Sequence, residues 1–282
     1  MQFMGYRRED GRVGVRNYVL ILPGCACASE TCRLVASEVR GTKNVIMNVG
    51  CSDVQANTDM NLRVLTGFAL NPNVFGVIVI GLGCETVGHR ELAAKIRAET
   101  SKPVVSFGIQ EIGGTVATTA AAVKAAREMV AQASEQQREP CDASDLFVAI
   151  ECGGSDATSG IASNPAVGNM SDRIVDLGGT TMMSETIEFV GAEHILAKRG
   201  ATPEIHDQII RICEDYEKHL AGVGQDCRTG QPTTGNKAGG LSTIEEKSLG
   251  CIHKGGTRPV VEVLQEAARP TKKGALIMDT PG

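Results

Sequence analysis

Residues 74–80, VFGVIVI, run apolar without a break and end on Gly81-Leu82-Gly83-Cys84-Glu85. A strand with one face in water alternates apolar and polar. An unbroken, largely β-branched run is buried on both faces, which calls for a parallel sheet covered by helices. The first half of the chain repeats this grammar. Strands are expected at 17–22 (NYVLIL), 44–49 (NVIMNV) and 103–106, with helices at 29–39, 57–70, 87–99 and 113–137. Strands alternating with helices imply right-handed βαβ units. The polar stretch 134–144 (SEQQREPCDAS) contains Pro140 and has no apolar period, so it reads as a linker between two domains, 1–140 and 141–282.

A second α/β unit is expected from Leu146, with a strand at 180–183 and helices at 166–176, 191–199, 203–220 and 259–268. A long loop is expected at 222–240 and a last strand at 275–278. The fold class is therefore α/β: two Rossmann-like domains with mostly parallel sheets and a cleft between them. The closing MDTPG follows a strand at once with a polar turn, as an entrance to another element would. On that ground the chain is expected to be truncated before a further C-terminal domain.

Composition narrows the function. Aromatics are 3% and Trp is absent, so the cores must be aliphatic. The net charge is -5 and no basic run stands out, which removes the electrostatic footprint of nucleic-acid binding. No run approaches the ~18 apolar residues of a membrane span, and the N-terminus lacks the apolar core of a signal peptide. A cytoplasmic protein is expected. Ten cysteines in a reducing compartment are small buried side chains, metal ligands or reactive groups rather than a disulfide framework.

In open α/β sheets ligands bind at the carboxyl ends of strands, and here those ends carry the chemistry. The expected strands finish in Pro23-Gly24-Cys25-Ala26-Cys27, Gly50-Cys51-Ser52-Asp53, Gly81-Leu82-Gly83-Cys84-Glu85, Glu151-Cys152-Gly153-Gly154-Ser155-Asp156 and Ser184-Glu185-Thr186. Cys51, Cys84 and Cys152 share one setting: a strand end, a glycine alongside and an acidic residue one or two positions away. Either they are packing residues, or they are thiolate ligands of a soft metal, iron or an iron–sulfur cluster. His194 is the best-placed histidine for general acid–base work, against the alternative of a surface or capping role. Asn236-Lys237 and Lys254 are flanked by glycines and suit a carboxylate or phosphate, or are solvated loop charges. Arg16 belongs to an N-terminal arginine group that suits a substrate carboxylate or internal salt bridges.

The blocks GYRREDGRVGVRNY, GLGCE, CGGSDATSGIASNPAVG, SETIEFVGAEHILAKR, GNKAGGLSTIEEKSLG, KGG and MDTPG, in that order, resemble the altronate/galactarate dehydratase family, which includes the large subunit of sulfolactate sulfo-lyase. The resemblance implies a lyase that removes water, or sulfite, next to a carboxylate, assisted by Fe²⁺ or another divalent metal, with an iron–sulfur cluster as the other form. By position it implies Cys51, Cys84 and Cys152 as metal ligands and Asp156, Glu185 and Lys237 as catalytic residues, beside which His194 stands on the reading given above. It implies Gly153, Gly154, Ser155, Asn236 and Asp279 as substrate-binding residues, beside which Arg16 and Lys254 stand on the readings given above. Glu246 also falls in a family block, whereas Cys251 stands where relatives often lack cysteine. The chain opens at the GYRREDGRVG block, so a separate small subunit carrying an N-terminal domain is an expected partner, beside a small hydroxy acid; a homo-oligomer is expected too. Two further readings stay open. A metabolite-binding module would need a G-x-G-x-x-G turn, which residues 23–27 do not provide. A non-catalytic iron–sulfur protein would have no use for the acidic and lysine loops.

Overall fold

A computed structural model describes residues 1–50 and 53–281. The chain divides between Cys141 and Asp142 into two compact units, with Met1 counted with the second.

In the first unit the strands β1 (Gln2–Arg7), β2 (Val13–Gly14), β3 (Tyr18–Pro23), β4 (Thr42–Asn44), β5 (Val74–Gly81), β6 (Val104–Gly108) and β7 (Glu139–Asp142) alternate with helices α1 (Ser29–Glu38), α2 (Gln55–Leu70), α3 (His89–Glu99), α4 (Ile109–Ile112) and α5 (Thr115–Glu135). The main sheet has the order β4-β3-β5-β6, and every pairing in it is parallel. Ile78 and Ile80 face α1 and α5, while Val77 and Val79 face α2 and α3, so β5 is apolar throughout because both its faces are covered. Gly76 is where α5 lies closest: a Cβ there would stand 2.5 Å from the Met129 sulfur. The chain leaves β3 toward β4 and leaves β5 toward β6, in opposite directions. The crevice past the ends of β3 and β5 is thus a topological switch point.

Two expectations about this unit differ from the structure. The strand expected at 44–49 is only three residues, Thr42–Asn44, and the polar stretch 134–144 contains an ordered strand, β7, which joins β1 and β2 in a small separate sheet. The polarity of β7 suits its edge position, where charged side chains and a proline keep the open edge from pairing further.

The second unit holds β8 (Phe147–Ile150), β9 (Thr180–Met183), β10 (Val260–Gln265) and β11 (Ala275–Asp279), in the order β10-β11-β9-β8 and again all parallel. Its helices are α6 (Asn164–Asp176), α7 (Glu193–Leu196), α8 (Pro203–Gly222), α9 (Cys227–Gly230), α10 (Thr234–Ala238) and α11 (Ile244–Ile252). Helix α8 starts with Thr202 as its cap and Pro203 in its first turn, and it buries Ile205, Ile209, Ile212 and Cys213 at helical spacing. The expected helix at 259–268 is instead β10: Val260, Val261 and Val263 favour a strand, and pairing with β11 gives them a pleated surface to pack on. The expected loop 222–240 is built around the short helices α9 and α10. Helix α11 was not expected, although Thr243 and Glu246, three residues apart before an apolar run, are the pattern of a capped helix start; Thr243 does accept a hydrogen bond from the Glu246 N–H. Among the described residues no helix is long and apolar enough to cross a membrane.

Candidate active site

The carboxyl ends of β8, β9 and β11 lie side by side in the second unit and are tied together by hydrogen bonds. Past β8, the Cys152 N–H donates to the Glu185 carboxylate at 2.7 Å. Past β9, the Glu185 N–H donates to Thr280 Oγ1 at 2.8 Å, and the Thr186 hydroxyl donates to the Asp279 carboxylate at 2.7 Å. Glu185 sits at φ 70°, a left-handed conformation that an L side chain adopts at a cost of about 1–3 kcal/mol. Its neighbours hold it there, and the strain fixes where its carboxylate points.

Gly153 and Gly154 follow Cys152 on an exposed turn. A Cβ at either would meet no protein atom within 4 Å, and neither has a positive φ, so neither packing nor backbone conformation demands glycine. The Ser155 hydroxyl lies 3.8 Å from the Cys152 sulfur, and the Ser155 carbonyl accepts from the Asn236 side-chain amide at 2.9 Å. Asn236 and Thr233 cap one another at the start of α10. Asp156 spends one oxygen on the Thr158 N–H, the Thr158 hydroxyl and the Ser159 N–H. The Thr158 hydroxyl above all, then the two N–H groups, hold its pKa below the usual carboxylate range. It closes a turn, and a carboxylate so engaged is a weak base.

Beneath this turn lies a buried charge cluster that the sequence reading missed. Glu188 is 4% exposed. Its carboxylate is 3.0 Å from the Lys247 ammonium and 3.4 Å from that of Lys254, and it accepts from the Cys251 thiol at 2.5 Å. Burial opposes ionisation of Glu188, yet the bonds from Cys251 and Lys247 and the charge of Lys254 hold its pKa below the ordinary value. Burial likewise opposes the charge on Lys254, and the surrounding negative groups, Glu188 and Glu185 among them, still raise its pKa. One buried carboxylate thus serves two ammonium groups, and Lys254 also feels the negative charge of Glu185. Burial and then the charge of Glu188 push the Cys152 thiol up, opposed by Lys254. The period of α11 could have found this cluster, since Lys247, Cys251 and Lys254 share one helical face.

The remaining sequence candidates lie elsewhere. His194 is exposed on α7, Lys237 is exposed on α10, and Glu246 is exposed with its carboxylate on the Ser242 N–H and hydroxyl. Arg16 belongs to the first unit, where its guanidinium reaches the Val15 carbonyl at 2.9 Å. Cys51 lies outside the described residues. Cys84 belongs to the first unit and Cys152 to the second. Among the described residues no three His, Cys, Asp or Glu side chains gather as ligands of one ion.

Residues 5–134 match the family described as D-galactarate dehydratase/altronate hydrolase, second domain, and residues 143–282 match D-galactarate/altronate dehydratase, C-terminal. The chain is 41% identical to (2R)-sulfolactate sulfo-lyase subunit beta of Chromohalobacter salexigens over 99% of its own length and 71% of that protein. It is 34% identical to altronate dehydratase of Bacillus subtilis and 35% identical to galactarate dehydratase (L-threo-forming) of Escherichia coli, again over 99% of its length. It spans 58% and 57% of those two enzymes.

Proposed function

The chain belongs to the D-galactarate/altronate dehydratase family, and from that membership we propose that it is the catalytic part of a lyase that eliminates a group from the carbon next to the α-carbon of a small hydroxy acid. The main reading is a hydro-lyase removing water from a sugar acid such as altronate or galactarate. The observation that supports it is the pairing of two buried ammonium groups, Lys247 and Lys254, on the one buried carboxylate of Glu188. Two ammonium groups sharing one buried carboxylate suit a second anion beside them, and a substrate carboxylate is such an anion.

In this reading Lys254 grips the substrate carboxylate and stabilises the second negative charge that develops on it when the α-proton leaves. Glu185, fixed in its strained conformation, takes that proton. The electron pair forms the Cα–Cβ double bond as the β-substituent departs with its own pair. Ser155 and Asn236 hold the turn around which substrate hydroxyls bind, and Gly153 and Gly154 leave it open to them. His194, Lys237 and Arg16 stay in the proposal as outer contacts, and Asp279 as the anchor of Thr186.

Fe²⁺ or another divalent metal, or a cluster, would when bound polarise the departing group, with Cys51, Cys84 and Cys152 as proposed ligands. Burial and the charge of Glu188 oppose the Cys152 thiolate, so a metal bound there would have to displace its proton against those surroundings. A cytoplasmic setting and assembly as a homo-oligomer are part of the reading.

The second reading is a sulfo-lyase subunit, in which sulfite replaces water as the leaving group. It is favoured by the 41% identity and the 71% coverage of the sulfolactate enzyme's beta subunit. It brings a separate small subunit as partner. Anaerobic assays of the full protein with altronate, galactarate and sulfolactate decide between the two, reading 2-keto product in the first pair and free sulfite in the third. Absence of all three activities in the metal-loaded, fully assembled enzyme would refute both.

A further inference from the structure

Cations crowd the carboxyl end of α2 in the first unit. Four successive carbonyl oxygens there, from residues 69–72, each accept from a cationic side chain. Lys102 Nζ donates to Ala69 at 3.0 Å and to Asn71 at 2.6 Å. Arg12 donates to Leu70 at 2.9 Å and Arg8 to Pro72 at 2.7 Å. A helix C-terminus attracts cations, but its dipole amounts to about half an elementary charge, and three full charges meet here. The carboxylate of the group is Asp10, which Arg12 engages through Nε at 2.9 Å and Nη2 at 2.6 Å. Among the described residues no carboxylate pairs with Lys102 itself.

This setting disfavours the ammonium form of Lys102. Burial, then the charges of Arg8 and Arg12, push its pKa down to about 7, with Asp10 opposing them. The hydrogen bonding suits the neutral amine equally well. Two N–H groups meet the two carbonyls, and a lone pair is left over where an ammonium would carry a third N–H. A lysine amine beside other cations is an activated nucleophile. Lys102 keeps part of its surface in water and Asn71 is exposed, so a small solute can meet the amine.

We propose that Lys102 is a modification site that captures carbon dioxide as an N-carboxylate, a carbamate whose negative charge is matched by Arg8 and Arg12. The nitrogen pair attacks the carbon of CO₂. An N–C bond forms while one C=O pair moves onto oxygen, and a proton leaves the nitrogen for water. Nothing is oxidised or reduced. The product keeps one N–H for a helix carbonyl, and the exposed Asn71 carbonyl can turn to water instead. A cation beside two guanidinium groups is thereby exchanged for an anion, and a planar carboxylate matches the guanidinium fork. Arg8 already spends Nε, Nη1 and Nη2 on Pro72, Gln136, Arg16 and Asn17. Arg12 uses Nε and Nη2, which leaves its Nη1 as the spare donor.

The site lies in the first unit and does not depend on the reaction proposed for the second. The test equilibrates the full-length protein with ¹³C-labelled bicarbonate at neutral pH, fixes carbamates as ethyl esters with triethyloxonium, and locates the label by peptide mass spectrometry. An ordinary lysine, with a pKa of about 10.4, is almost wholly ammonium at that pH. Labelling of Lys102 should therefore exceed that of the exposed Lys124 by at least about tenfold. Arg12→Gln removes a charge that both suppresses the ammonium and holds the carbamate, so it should lower the Lys102 label several-fold. Wild-type Lys102 labelled no more than Lys124 overturns the proposal, with no variant needed. An unchanged label in folded Arg12→Gln protein overturns the pairing with Arg12. A Lys102 that takes an acetyl group from acetyl phosphate but no label from bicarbonate also overturns the proposal, because the amine would then be reactive without a site for the anion.

Discussion

Glu188 and Lys254 face each other at 3.4 Å with both side chains almost wholly removed from water. Lys247 shares the same carboxylate at 3.0 Å. Removing the single anion strands two buried ammonium groups. Glu188→Gln is expected to destabilise the second unit by about 3–5 kcal/mol, the usual result of breaking a buried pair from one side. Exposed Glu214→Gln should stay within about 0.5 kcal/mol. Urea unfolding of both variants checks this, and equal midpoints would show that the cluster adds nothing.

The same cluster sets a pH window. Glu188 has a lowered pKa in the fold, so its contribution is complete above the ordinary glutamate range and is lost as pH falls through its own, lower value. Lys254 has a raised pKa, so its contribution is complete below the ordinary lysine range and is lost as pH rises through its own, higher value. Stability should therefore be flat across neutrality as far as this pair is concerned. Glu188→Gln should be lower throughout, and the gap to wild type should narrow at the acid end. A gap that widens there would contradict the assignment.

Gly153 and Gly154 separate folding from function. With open space around each Cβ position and no positive φ, Gly153→Ala and Gly154→Ala should leave the melting temperature unchanged or slightly raised, by about 0.4–1 kcal/mol equivalent. Turnover should fall if substrate lies against this backbone. Gly168→Ala is the contrast, because its Cβ would sit 2.1 Å from the His253 carbonyl in the packing of α6. That variant should unfold readily. Full turnover in both turn variants would move the substrate away from Cys152.

Glu185→Gly removes a proposed base and a strained conformation together. Relief of the left-handed backbone offsets the lost hydrogen bond from the Cys152 N–H, so stability should change by less than about 1.5 kcal/mol. Loss of a general base should lower kcat by about 10²–10⁴-fold. A folded variant with wild-type kcat would assign proton transfer to another group.

Cys84→Ser and Cys152→Ser keep size while removing a proposed soft ligand. In the full-length protein prepared without oxygen, each is expected to lose bound iron and turnover together while its circular dichroism is retained. An iron-free Cys84→Ser protein with full activity would leave these thiols as packing or turn residues.

Much of the framework followed from one-dimensional pattern. The unbroken apolar run of β5, the capped stripe of α8 and the glycine-rich strand ends were readable because burial on two faces, helical period and turn chemistry are local properties of the chain. The sequence also put Cys152 and Glu185 among the site candidates, since ligands collect where parallel strands end. What it could not yield was partnership. Val260, Val261 and Val263 became a strand because β11 offered an edge 15 residues downstream, a pairing that no short window contains. Asp156 looked like a base until the fold closed its carboxylate on Thr158 and Ser159. Nothing local set Glu188 apart, yet the packing of α11 and the turn after it brought Lys247 and Lys254 onto it from about 60 residues away. Charge state and hydrogen-bond partners depend on which distant groups share a buried volume, and that volume exists only once the chain has packed.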